Sequence, residues 1–358
     1  SLPANRAWLE TIDARWRGIA EDPSRLPPIP VHVGGVATLD RSMIDGRDPS
    51  RPGSLPYRYA TGNEADVELA LATGAAAIAG WNGLGIDGRA QVLRNVAAEL
   101  ARGRGEVIGC MTLDTAKAAT EADVEVSEAI DFAEYYSRAL DDPAWYDGTK
   151  PEPIGIVVVT PPWNFPYAIP AGGVLAALMA GNSVILKPAP EAVLTGWFLV
   201  EQLWRAGVPR DVLQFLPLVD GDLGRRLLTD PRVGTVILTG GFSTARLFES
   251  WQPEMRLLAE TSGKNAMIIT ATADLDLAIR DLVRGAFGHS GQKCSATSLA
   301  LVEASVYDDP KFARGLCEAA ESLTVGSAWD RSSIVTPLIR EPSPELLRGL
   351  TQLDQGEI

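Results

Sequence analysis

Residues 154–187 read IGIVVVTPPWNFPYAIPAGGVLAALMAGNSVILK, and their periodicity decides the fold class. Ile154–Thr160 is a short continuous apolar run, the pattern of a strand buried on both faces. Pro161 and Pro162 stop it, a helical stretch near 170–180 follows, and the Gly181-Asn182 turn leads into a second strand, Ser183–Leu186. The same alternation continues with strands at Val212–Leu216 and Thr235–Leu238 and helices near 193–206, 221–229 and 243–250. Strands alternating with helices are the sequence form of a parallel sheet wound with helices, so a dinucleotide-type α/β fold is expected. The G-x-G-x-x-G turn that usually follows the first strand is missing, so any phosphates must be held differently. Only Asn182 and Ser183 are plainly polar between Tyr167 and Leu186, but Pro170, Gly172-Gly173 and Gly181-Asn182 divide the run, which argues against a membrane span.

On the N-terminal side, Ala/Leu/Val at steps of three and four predict scaffold helices over 65–80, 88–116 and 122–140. Residues 1–60 are rich in Pro, Arg and Asp and read as an irregular lead-in with one helix around Trp8–Ala20. Beyond Met255, strands near 265–270 and 298–303 and helices near 274–287 and 310–323 begin a second α/β domain. The expected division is a lead-in over 1–60, a nucleotide-binding domain with helical scaffold over 61–259, and an incomplete catalytic domain over 260–358. Ser1 in place of a methionine, and a charged helical stretch before Ile358, read as cut ends.

The chain has 358 residues, enough for about two domains. Its 46% hydrophobic and 22% charged residues are those of a globular protein. A formal net charge of −14, from 32 basic and 46 acidic residues, repels phosphate backbones and argues against nucleic acid as a partner. Cys110, Cys294 and Cys317 form no disulfide framework, and His32 and His289 are too few for a zinc site, so no metal is expected. No secretory signal opens the chain, and a reducing cytoplasm is the expected location.

Cys294 lies in GHSGQKCS (288–295), where small neighbours leave a thiol accessible and Lys293 can favour the thiolate. Taken alone it reads sooner as a structural cysteine than as a nucleophile, and Cys110 and Cys317, inside helical apolar patterns, read as structural. Glu260 ends an apolar strand beside Ser262-Gly263, where α/β folds place general bases, although a solvated loop carboxylate has the same appearance. Asn164 sits between rigid prolines just past the first strand, which suits an amide aimed at an oxyanion or simply a turn. Lys187 ends the second strand at the carboxyl edge of the sheet, and Thr239-Gly240-Gly241 opens a helix whose free N–H groups can accept a phosphate.

Five segments in order, PWNFP (162–166), LKP (186–188), LTGG (238–241), ETSGKN (260–265) and GQKCSA (291–296), resemble the aldehyde dehydrogenase superfamily, from about residue 50 onward. The last two, with EAIDF (128–132) and Tyr135-Tyr136, look most like glutamate-γ-semialdehyde (pyrroline-5-carboxylate) dehydrogenases, including the corresponding half of proline utilization A. The resemblance implies NAD as cofactor, held by Thr160, Pro162, Trp163, Lys187, Ala189, Gly240 and Gly241. It implies Cys294 as nucleophile, Glu260 as base for water, Asn164 as oxyanion donor, and Phe165, Ser295 and Glu128 as substrate contacts. It further implies an oligomeric native protein and a proline dehydrogenase region upstream of Ser1.

Two departures stand out. The acid that relatives place three residues after the lysine is replaced by Pro190, with Glu191 one position later, which leaves ribose recognition resting mainly on Lys187. The later E-x-F-G-P segment, the substrate anchor loop and the oligomerisation strand are absent. Two other readings therefore stay open: a nucleotide-binding or interaction module of this fold without turnover, and a dehydrogenase acting on another aldehyde or passing its thioester to coenzyme A.

Overall fold

The computed structural model describes residues 2–352, except 142, 143, 145, 146 and 150, together with 355; the expected domain end at 358 lies outside the described residues. The chain begins with α1 (Pro3–Glu21), then β1 (Val31–Val33), β2 (Val36–Thr38), β3 (Ser42–Gly46) and β4 (Tyr57–Thr61). Four helices follow, α2 (Glu64–Gly83), α3 (Gly85–Arg102), α4 (Arg104–Thr115) and α5 (Ala119–Tyr136). Alternation then sets in: β5 (Ile156–Thr160), α6 (Ala168–Met179), β6 (Ser183–Leu186), α7 (Val193–Arg205), β7 (Leu213–Phe215), α8 (Asp222–Leu228), β8 (Val233–Gly240), α9 (Phe242–Trp251) and β9 (Leu257–Thr261). Past it lie β10 (Asn265–Ile269), α10 (Leu275–Phe287), β11 (Thr297–Val302), α11 (Ala304–Tyr307) and α12 (Pro310–Glu321).

The expected parallel sheet is present. Its strands run β2-β1-β7-β6-β5-β8-β9, all parallel from β7 to β9, with β1 antiparallel to both β2 and β7. Central β5 shows why its sequence is a continuous apolar run. Val157 and Val159 join the core beneath α6 and the scaffold helices, while Ile156 and Val158 join a second core on the opposite face with Val67, Leu71 and Leu227. Alternate side chains of a strand point to opposite faces, so a sheet covered on both sides needs no polar position. Each such buried aliphatic side chain stabilises the fold by about 1.5–3 kcal/mol. The apolar run 167–186 is divided as expected, into α6 and β6 around Gly181 at φ +87°. No single described helix is long and apolar enough to cross a membrane.

Several expectations need correction. Residues 1–60 are not an irregular lead-in. His32 of β1 pairs with Phe215 of β7, so this segment supplies the edge of the main sheet, and β3 pairs with β4 as an antiparallel ribbon. These strands are three to five residues long, too short to show a period. The same segment is tied to residues far along the chain: the Trp329 indole N–H donates to Asp48 Oδ2 at 2.8 Å, and the Arg331 guanidinium meets Asp13 at 2.8 Å. The helix expected over 88–116 is two helices broken at Gly103, where a Cβ would come within 2.1 Å of Gln202 on α7. The helix expected over 122–140 spans Ala119–Tyr136. The expected boundary between 259 and 260 falls inside β9, whose Thr261 still pairs with Gly240 of the main sheet. Cys317 is exposed, whereas Cys110 is buried.

Two interior contacts recur below. On α4, Gly109 lies against the buried indole of Trp16 from α1, with no room for a Cβ. One turn later Asp114 joins three elements: its carboxylate accepts from the Tyr57 hydroxyl at 2.5 Å and from both the N–H and the hydroxyl of Thr195 at 2.8 Å. Burial pushes this carboxyl up to about 6, against the lowering effect of those three donors.

Candidate active site

From β7 to β9 the parallel strands run β7-β6-β5-β8-β9, so the strand order reverses between β5 and β8. In open α/β sheets, ligands bind outside the carboxyl ends of strands at such a switch point. A cleft of about 410 Å³ opens there, and all seven positions expected to hold a cofactor line it: Thr160, Pro162, Trp163, Lys187, Ala189, Gly240 and Gly241. Lys187 is largely buried, and its ammonium meets the exposed Asp220 carboxylate at 2.9 Å. Gly241 is the N-cap of α9 and supplies no side-chain acceptor, which leaves the first N–H groups of that helix and its positive dipole end available to an anion. Phe248 and Trp251 make part of the opposite wall apolar. The displaced acid Glu191 is paired with Arg340 at 2.8 Å, and both line the same cleft.

The nucleophile segment begins where α10 ends. His289 and Ser290 adopt φ values of 50° and 58°, followed by Gly291 at 72°. Left-handed backbone is costly for residues with a Cβ and persists only where surroundings enforce it. Here the Ser290 hydroxyl donates to the Thr336 carbonyl, and the Gln292 side-chain oxygen accepts from Ile339 N–H at 3.0 Å. The turn delivers Cys294 to the surface with its thiol exposed. Asn265, the last residue of the ETSGKN segment, donates its amide to the carbonyls of Cys294, at 2.6 Å, and Ala296, at 3.1 Å.

Asn164 reaches this segment directly, donating to the Gln292 carbonyl at 2.9 Å. A side-chain amide carries two N–H groups, so one remains for a substrate oxygen. Glu260 lies at the same edge of the sheet, exposed on β9 opposite Thr239 of β8. Trp163 joins the two halves of the site: it lines the cleft, and its ring lies 6.4 Å from that of His289. His289 is buried, and neither ring nitrogen has a partner among the described residues. Burial, together with the Lys117 and Lys293 charges, lowers its pKa to about 3, so the imidazole is neutral.

Lys293 does not present a free charge to the thiol as the sequence suggested, because its ammonium pairs with Glu121 of α5 at 2.5 Å. Phe165 packs under a buried cation, with the Lys117 ammonium 3.9 Å from the ring centroid. Ser295 is exposed beside Cys294. Glu128 is half-buried on α5, where burial and then the Glu125 charge raise its carboxyl pKa. Lys117, Glu121 and Glu125 went unnoticed in the sequence, where their only signal was charge inside otherwise apolar or small-residue stretches, and Asn265 stood in the ETSGKN segment without a role.

The sequence profile described as the aldehyde dehydrogenase family matches residues 37–356. A 1-pyrroline-5-carboxylate dehydrogenase of Geobacillus thermodenitrificans is 34% identical over 328 residues, covering 87% of this chain and 63% of that protein. The chain therefore spans less than two thirds of the length of this curated relative. A crystal structure of 1-pyrroline-5-carboxylate dehydrogenase from Thermus with bound NAD superposes with a TM-score of 0.87 at 30% identity, over 96% of this chain and 68% of that one. Proline utilization A from Corynebacterium freiburgense superposes with a TM-score of 0.74 at 43% identity, over 81% of this chain and 30% of that one.

Proposed function

The chain belongs to the aldehyde dehydrogenase family, and from that membership we propose that it catalyses NAD⁺-dependent oxidation of an aldehyde to a carboxylic acid. The observation that carries the reading is the cleft at the β5/β8 switch point, lined by every expected cofactor position and sharing the Trp163 wall with the nucleophile segment. Its residues suit a dinucleotide: proline and aromatic walls for flat rings, the Lys187 ammonium for sugar hydroxyls, and the uncapped start of α9 for a phosphate. When bound, NAD⁺ supplies the hydride acceptor.

An aldehyde is a poor hydride donor until a nucleophile adds to its carbonyl. The Cys294 thiolate attacks and forms a thiohemiacetal. The free N–H of Asn164 and the Cys294 backbone N–H stabilise its oxyanion, each donor contributing about 3–4 kcal/mol. After oxidation to the thioester, Glu260 takes a proton from water, which releases the acid and regenerates the thiol.

The proposed substrate is L-glutamate γ-semialdehyde, converted to glutamate in proline catabolism. The names of the relatives support it, and Glu128, Phe165 and Ser295 are the proposed substrate contacts. NAD⁺ reduction is measured with pyrroline-5-carboxylate and, separately, with propanal, on this chain and on the native polypeptide. Preference for pyrroline-5-carboxylate is expected; preference for propanal rejects the substrate, and no reduction by the native polypeptide with either rejects the activity.

A further inference from the structure

Helix α5 carries two carboxylates one turn apart, Glu121 and Glu125, on the same face. Each holds a lysine, and each lysine belongs to the fixing of one reacting segment. Glu121 pairs with Lys293, the residue before Cys294. Glu125 pairs with Lys117, whose ammonium also donates to the Asn164 carbonyl at 2.8 Å. The second oxygen of Glu125 accepts from the N–H groups of Tyr167, at 2.9 Å, and Ala168, at 3.0 Å. The Asn164 loop is thereby gripped at its middle through Lys117 and at its end through the start of α6.

The two anchors differ in burial. Lys117 and Glu125 are fully enclosed, with side chains 0% and 1% exposed, whereas Lys293 and Glu121 are 18% and 29% exposed. A buried ion pair is a weak source of net stability but a strong constraint on geometry, because neither charge can leave without stranding the other. The pairs are linked: the Asn164 amide meets the Gln292 carbonyl at 2.9 Å, and neutral His289 lies within reach of both lysine charges.

We propose that Glu121 and Glu125 are positioning residues that together set the Cys294 thiol against the Asn164 amide, each through its own lysine. This rests on the oxidation reading for its catalytic consequence and on the ion pairs alone for its structural one. Neither glutamate touches the reacting atoms; what they fix is the distance between nucleophile and oxyanion donor, on which reaction rates depend steeply.

The test compares Glu121→Gln, Glu125→Gln and the unaltered chain by hydrogen exchange and by the pre-steady-state NADH burst. Glu121→Gln is expected to accelerate exchange in 288–296 and leave 163–168 unchanged, and Glu125→Gln to do the reverse. Each is expected to slow the burst by about tenfold to a hundredfold, with NAD⁺ affinity held within about twofold and Glu121→Asp recovering part of the rate. Where Glu125→Gln does not accumulate as folded protein, Glu121→Gln at the more exposed pair carries the test by itself. Uniform loosening of both segments by either variant, or no loosening, overturns the proposal, as does a burst of unchanged rate. An unaltered native polypeptide without any burst refutes the oxidation reading instead, and the exchange result still decides whether the anchors hold their segments.

Discussion

Asp114 makes stability depend on pH in a direction opposite to that of a salt-bridged carboxylate. Its carboxyl titrates near 6 in the folded chain, against 3.8 for the unperturbed group, because the protein encloses it completely. The displacement corresponds to about 3 kcal/mol in total. Between those two values the native state holds a proton that the unfolded chain has released, so stability falls as pH rises through the window and the whole contribution is present only at its acid end. Over the accessible part, from about pH 5.2 to about pH 7.5, the loss comes to about 1 kcal/mol. Asp114→Asn removes the titration and keeps the shape. The new amide oxygen accepts from both Thr195 donors, and its N–H donates to the Tyr57 hydroxyl oxygen. Urea unfolding followed by tryptophan fluorescence, at several pH values above the isoelectric point near 4.7, is expected to show the substituted chain losing about 1 kcal/mol less than the parent over this range. Parallel curves for the two chains refute the argument, because other carboxylates cancel in the difference.

Four further outcomes follow from the site and the core. Cys294→Ser is expected to abolish NAD⁺ reduction, whereas Glu260→Gln retains one NADH burst and then stalls; stopped-flow absorbance separates them, and equal loss without a burst contradicts the assigned roles. Asn164→Ala should lower kcat/KM by about 10²–10³ through loss of an oxyanion donor, with NAD⁺ affinity unchanged by calorimetry. Lys187→Ala should weaken NAD⁺ binding by about tenfold or more, the value of one charge-assisted hydrogen bond, while leaving alkylation of Cys294 by iodoacetamide unaltered. Gly109→Ala drives a methyl into Trp16, 2.1 Å from Cδ1, and should destabilise the chain by about 1–3 kcal/mol in urea titration.

The central sheet was legible because burial on both faces leaves its strands mainly apolar, so β5, β6 and β8 are visible as short apolar runs with no polar residue larger than Ser or Thr. Strand β1 was not legible, for the same physics at a smaller scale: three residues between Pro30 and Gly34 carry no period, and pairing with β7 is a tertiary fact. The break at Gly103 was hidden because a glycine inside a helical pattern is tolerated locally, and the approach of the Gln202 side chain to it is a tertiary fact. In the site, the motif segments around Asn164, Glu260 and Cys294 were readable one by one. What joins them was not. Lys293 looked like an activating charge because Glu121, its partner, lies 172 residues earlier, and Lys117 drew no reading because only the fold encloses it with Glu125.

The two anchors of α5 also differ in the time at which they can form. Lys117 and Glu125 are eight residues apart, so their pairing closes a short loop at small entropic cost and needs little beyond α5 itself. The contacts that place the thiol span 172 residues from Lys293 to Glu121 and 128 from Gln292 to Asn164. On a ribosome the Asn164 loop can be fixed before the nucleophile segment has been made, since domains assemble in order of synthesis. Cys294 emerges after both of those partners, but Thr336 and Ile339, which hold Ser290 and Gln292, have yet to be made, so the thiol stays unplaced and open to oxidation until the chain has passed Ile339.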